Sequence, residues 1–130
     1  MAFDPKKKQK VFEAALINGA RSYPATCAVD GKVFTTAGGN LFVFDAKRMD
    51  VEKSNSLLGG QQEISLGRHA SGKLVGLTGS AVYVLDPANA ELAFTAKAPV
   101  PINCGFALSD EAVYFGSGAE LWRYWLPKGL

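Results

Sequence analysis

An all-β fold made of repeated antiparallel units is what this sequence predicts. Three features predict it: an internal repeat near 41 residues, turn residues at regular intervals, and short runs alternating apolar with polar or small residues. The repeat is anchored twice in each copy. Phe3-Asp4 returns 41 residues later as Phe44-Asp45, and 41 later again as Leu85-Asp86. Val33, Leu74 and Val113 recur at steps of 41 and 39. A glycine follows each of these by five residues (Gly38, Gly79, Gly118), and an apolar residue by eight (Leu41, Val82, Leu121). The third copy is two residues shorter and carries Trp125 where the others carry Asp. Chance does not keep both registers together.

Helical repeats also occur at this period, so the interior of each unit decides. No stretch sustains an i, i+3, i+4, i+7 stripe. Val, Phe, Tyr and Thr dominate instead, and they suit a pleated surface. The first full unit reads as strands "PATCAV", "KVFTTAG", "LFVFD" and "VEKSNSL". The second reads "ISLGRHA", "KLVGLTG", "AVYVLD" and "ELAFTAKA", and the third "CGFALS", "AVYFGSG" and "LWRYWL". Asp-Gly, Ser-Gly, Gly-Gly, Gly-Ser and Asp-Pro separate them, all of them turn chemistry. Four short antiparallel strands per ~40 residues is the signature of a β-propeller blade. The repeats run approximately over 4–44, 45–85 and 86–126 of a single domain, 1–130.

The opening "FDPKKKQK" then has a structural place. Asp4-Pro5 and the three lysines after it occupy the position of "DAKRM" and "DPANA", the turn from third to fourth strand. Asp bonds the backbone ahead of it and Pro sets φ at the first corner. The lysines are expected to be solvated and to discourage edge-to-edge aggregation. A nucleic-acid role is not expected, because the net charge is only +2 and no basic stripe with interleaved aromatics follows.

The units "KVFTTAGGNLFVFDAKR" and "VYFGSGAELWRYWLP" resemble blades of bacterial quinoprotein-like and YVTN-like propellers. The resemblance covers nearly the whole chain and implies blade architecture rather than an active site. The WD40 pattern is not matched, since no Gly-His…Trp-Asp pair recurs. Quinoprotein dehydrogenases hold their cofactor on a Trp floor, often with adjacent cysteines. Cys27 and Cys104 are not adjacent, and Trp122 and Trp125 fall on a third strand, so quinone chemistry is not carried over and no cofactor is expected.

Read this way, the chain opens just before a fourth strand, "KVFEAAL" (10–16), and closes after a third, giving twelve strands or three blades' worth. Propellers close with four to eight blades. The expectation is therefore a homodimer of six blades, in which the fourth strand of each copy completes the last blade of the other. Half of a larger propeller, and a three-bladed or sandwich-like monomer, are the alternatives.

Composition sets the remaining bounds. At 48% hydrophobic and 20% charged the sequence is that of an ordinary globular domain. No apolar run approaches the ~20 residues of a membrane span. There is no signal peptide pattern, so the default expectation is cytoplasmic. The two cysteines are read as small buried hydrophobes. One histidine and scattered carboxylates provide no metal set.

Function is expected in the loops joining a fourth strand to the next first strand, 17–24, 58–64 and 99–105, where the repeat diverges most. Candidate ligand-binding residues are Arg21, Tyr23, Gln62, Glu63, Arg68, His69 and Asn103, with Asn18 and Gln61 beside them. The arginines can grip a carboxylate or phosphate, Tyr23 can stack on a ring, and His69 can exchange a proton near neutral pH. Each has a plainer reading as a salt bridge, a strand residue or a packed imidazole. Trp122, Tyr124 and Trp125 are read first as packing between blades. No catalytic set is assigned. The leading reading is a non-enzymatic scaffold for a protein, peptide or glycan. The alternative is a lyase or hydrolase with a channel site on Arg21, Tyr23, Arg68 and His69, which requires those side chains to converge.

Overall fold

The computed structural model describes residues 2–12, 25–37, 40–55 and 63–130. Thirteen strands make up the described residues: β1 (Ala2–Asp4), β2 (Gln9–Phe12), β3 (Ala25–Val29), β4 (Lys32–Ala37), β5 (Asn40–Asp45), β6 (Asp50–Asn55), β7 (Glu63–Arg68), β8 (Leu74–Thr78), β9 (Ala81–Asp86), β10 (Glu91–Lys97), β11 (Cys104–Leu108), β12 (Ala112–Ser117) and β13 (Glu120–Trp125). They form antiparallel sheets β3-β4-β5-β6, β7-β8-β9-β10 and β11-β12-β13, preceded by the ribbon β1-β2. Among the described residues no helix is long and apolar enough to cross a membrane.

The strand count corrects the sequence reading by one. Ala2–Asp4 is itself a strand, paired with β2 across the Pro5–Lys8 turn. The chain therefore supplies the end of a third strand as well as a fourth. The lysines of that turn are exposed.

Each connection follows from its residues. Asp30-Gly31 joins β3 to β4 with φ of 51° and 76°, the left-handed pair of a two-residue I′ hairpin. Between β7 and β8 the loop is longer. His69 N–H donates to Lys73 O at 2.8 Å, Gly72 N–H donates to His69 O at 2.9 Å, and Gly72 takes φ of 90°. The turns from third to fourth strand share one geometry. Asp45 Oδ1 accepts the N–H groups of Lys47 and Arg48 at 2.9 Å each, and Asp86 Oδ1 accepts that of Ala88 at 2.9 Å. The fourth residue of each turn, Lys8, Met49 or Ala90, is left-handed.

A bulge then recurs at the third residue of every fourth strand. Val11, Glu52 and Ala93 are each skipped in the pairing with the strand before. The bulge turns the strand over. Leu92 packs into the core before its sheet and Phe94 into the core after it, although two residues separate them.

Two hydrophobic cores lie between successive sheets. The first joins Val29, Phe34, Leu41 and Val43 of the β3–β6 sheet to Leu66, Leu74, Tyr83 and Leu85 of the next. The second joins Val75, Leu77, Val82 and Val84 to Val113 and Phe115. The β7–β10 sheet is thus covered on both faces, and β8 is buried at every position. Its apolar run "LVGL" serves two cores with alternate residues. Each fully buried Leu or Phe contributes ~1.5–3 kcal/mol. The sheets approach each other along β3, β7 and β11, which makes the first strand of each the innermost.

The Asp turns give the fold an acid limit. The Arg48 N–H beside Asp45, and the Lys73 ammonium on Asp86 at 2.8 Å, hold both carboxyls below their ordinary range. A carboxyl whose folded pKa is depressed contributes stability above its unfolded value, near 3.9, and loses it as pH falls through the lower folded value. Asp86→Asn should therefore be less stable at neutral pH and show a flatter loss of stability below about pH 4. Urea midpoints across the acid range check this, and an unchanged slope would show that Asp86 does not supply the effect.

Candidate functional site

The first strands line the inner side of the arc, so the residues at their two ends define its two faces. At one end, where the loops from the preceding fourth strands arrive, lie Glu63 and Asn103. Glu63 opens β7 and is buried. Asn103 precedes β11; its N–H donates to Gly116 O at 2.9 Å, and its Oδ1 accepts from Gly118 N–H. Asn103 thereby fixes the β12–β13 turn. Arg21, Tyr23 and Gln62, with Asn18 and Gln61, lie outside the described residues.

At the other end of β7 lie Arg68 and His69. Five residue steps separate Glu63 from Arg68, about 17 Å of strand. Arg68 is exposed, and its charge reaches the Cys27 thiol on β3. His69 is buried and fully engaged. Nε2 stands 2.8 Å from Asp110 O, and a carbonyl only accepts, so Nε2 carries the proton. Nδ1 then accepts the Ser71 N–H at 3.1 Å and the Ser71 hydroxyl at 2.8 Å. The imidazole ties the β7–β8 turn to the β11–β12 turn of the next sheet. Arg68 and His69 therefore do not converge with Glu63 and Asn103.

The aromatic residues of β13 divide. Trp122 and Tyr124 pack into the second core, while Trp125 is 57% exposed with the Arg123 guanidinium 4.2 Å above its ring. The cysteines correct the expectation of burial. Cys104 is exposed, because it lies on the face of β11 that no further sheet covers; Cys27 is half-buried, and burial raises its thiol pKa while Arg68 opposes the shift. Among the described residues no three His, Cys, Asp or Glu side chains gather as a metal site.

Sequence reasoning missed the feature that distinguishes the third sheet. Residues facing forward along the arc are Leu41 and Val43 in the first full sheet, and Val82 and Val84 in the second, all buried. Their register equivalents in the third are Leu121 and Arg123, both exposed, with Leu121 at 80%. The repeat alignment carried this information, since an Arg stands where the other copies have Val.

Comparison with solved structures fits this architecture. BamB from Moraxella catarrhalis matches with a TM-score of 0.64 at 11% identity, over 77% of this chain and 30% of that one. Hsv2 from Kluyveromyces lactis matches with a TM-score of 0.53 at 7% identity, over 82% of this chain and 34% of that one. The Cps50 (Swd1) β-propeller domain from Myceliophteria thermophila gives 0.52 at 18% identity, over 82% of this chain and 38% of that one. No protein-family model matches the chain, and no curated protein matches it in sequence. At these identities the likeness concerns the fold. The chain is a partial β-propeller of about three blades, and it spans about a third of each of these solved chains.

Proposed function

We propose that this protein is a non-enzymatic binding scaffold whose ring is completed by a second copy, giving six blades. The loops entering β3, β7 and β11 would present Arg21, Tyr23, Gln62, Glu63 and Asn103 to a protein, peptide or glycan. The observation that carries the ring is the uncovered forward face of β11–β13. Leu121 is exposed where its equivalents Leu41 and Val82 are buried against the next sheet, and Trp125 on the same strand is exposed with it. Withdrawing that apolar surface from water is favourable by ~25 cal/mol per Å².

Closure by strand exchange has a definite form. The inner edge of β2 already carries β1, a three-residue strand. Exchange would put β13 of the other copy in its place beside the four-residue β2. The enzymatic alternative requires Arg21, Tyr23, Arg68 and His69 at one channel mouth; the binding reading is preferred because both His69 nitrogens are engaged by neighbouring turns.

Light scattering after size exclusion tests the ring. A mass near twice 13.8 kDa is expected, falling to a single chain in Leu121→Glu. A single-chain mass for the unaltered protein at every concentration would overturn closure by a second copy.

A further inference from the structure

We infer that one enclosed water molecule binds between the first two full sheets, where it joins the hydroxyls of Thr36 and Tyr83 to the Glu63 carboxylate. The site lies within the first core, toward the end of the sheets where β7 begins, and it does not depend on closure of the ring by a second copy.

The first observation behind it is a pair of orphaned groups. Thr36 and Tyr83 are 0% and 1% exposed, and neither hydroxyl has a hydrogen-bond partner among the described residues. Native interiors pair such groups with protein or with ordered water, because an unpaired buried hydroxyl keeps its whole desolvation penalty. Both belong to one interface. Thr36 lies two residues along β4 from Phe34, on the face turned to the next sheet, and pairs with Leu41. Tyr83 enters the same core from the β7–β10 sheet. Its ring lies over Gly76 of β8, where an added Cβ would meet the phenol oxygen. Glu63 opens β7, is buried, and stands close enough for its charge to act on that phenol. β4 approaches β7 at this interface, which brings Thr36's strand to Glu63's.

The repeat supplies the second observation, because it builds the next interface without any of these groups. Register carries Thr36 to Leu77, Gly76 to Phe115 and Tyr83 to Trp122. Glu63 stands two residues before Ser65, which pairs with Leu77; Ile102 stands two before Cys104, which pairs with the equivalent Gly116. Leu77, Ile102, Phe115 and Trp122 all pack in the second core. The one polar atom among their side chains, Trp122 Nε1, donates to Glu120 Oε2 at 2.8 Å. Thr, Gly and Tyr are smaller than Leu, Phe and Trp. The first interface thus gains hydrogen-bonding groups and loses packing volume at the same level.

The chemistry selects water. Both hydroxyls donate, and a water oxygen has two lone pairs to receive them. The water's own proton goes to the carboxylate, which only accepts. Three bonds are the usual complement of an enclosed water. An apolar ligand would leave all three groups unpaired, and an anion would face Glu63.

The test compares urea unfolding of the full chain with that of Thr36→Val, Tyr83→Phe and the double variant. Each single substitution nearly keeps the shape of the side chain and removes one hydroxyl. Each is expected to lower the urea midpoint, and the double variant should fall no further than the worse single, since either loss breaks the shared bridge. A midpoint unchanged or raised in either single variant would show that its hydroxyl has no partner to lose. Losses that add in full would give the two hydroxyls separate partners. Either result overturns the proposal. Oxygen-17 relaxation dispersion of the solvent reads the water directly: the double variant should hold one fewer long-lived water than the unaltered chain, and an equal number would overturn the proposal even where the midpoints fall.

Discussion

Phe115→Ala is expected to cost about 3–5 kcal/mol, the range for removing a fully buried aromatic ring. Phe115 is 1% exposed and stands in the core shared by the β7–β10 and β11–β13 sheets, with Val75, Leu77 and Val84. The loss should not spread evenly. In an array whose units touch only their neighbours, stability is a sum of unit and interface contributions. Emptying the second core should therefore release β11–β13 while the first core keeps its contacts. Native-state hydrogen exchange resolves this: protection should fall in β11–β13 and persist in β4 and β5. A uniform fall would show that all the sheets open as one unit. A loss under about 1 kcal/mol would contradict the packing described for Phe115.

Gly76→Ala should be nearly as damaging, for the opposite reason. Gly76 pairs directly with Tyr83 across β8 and β9. A Cβ at Gly76 would lie 2.1 Å from Tyr83 Cζ. Both residues are enclosed, so the ring cannot swing into solvent, and overpacking of this kind costs about 1–3 kcal/mol or more. The Tyr83 hydroxyl is buried and has no hydrogen-bond partner among the described residues. Burial, with the nearby Glu63 carboxylate, raises its pKa well above the ordinary phenol value. Removing the ring should therefore relieve the clash. In a Tyr83→Leu background the penalty of Gly76→Ala should shrink by about 1 kcal/mol or more, measured as the coupling in a double-mutant cycle. Strict additivity would mean that some other group excludes the methyl.

Most of the architecture is legible in the sequence because the repeat is. Two anchors in fixed register place the sheets, and Asp-Gly, Ser-Gly and Asp-Pro place the turns that join them. What period-two reading does not reveal is the bulge at Val11, Glu52 and Ala93. Alternation puts Leu92 and Phe94 on one face, whereas the extra residue sends them to different cores. A strand buried on both sides is also hard to read, since "LVGL" shows no polar face. The strand ends are legible in principle. A residue that opens a first strand and one that closes it lie on opposite faces of a propeller, which separates Glu63 from His69. Naming both among one set of candidate ligand-binding residues joined them. The role of His69 lies in a bond to a backbone carbonyl 41 residues away, and side-chain identities do not encode such a partner. Trp125 was legible as a departure from the repeat.

The forward face of each full sheet fits the back of the sheet that follows it. Leu41 and Val43 meet Leu74 and Leu85, and Val82 and Val84 meet Val113 and Phe115. The sheet is thus a tile that matches its own copy. A gene encoding such a tile can lengthen by duplicating one unit, and the inserted unit finds both neighbours without any new interface arising. Arg123 and Trp125 mark where the third tile departs from the first two, which carry Val and Asp at those positions.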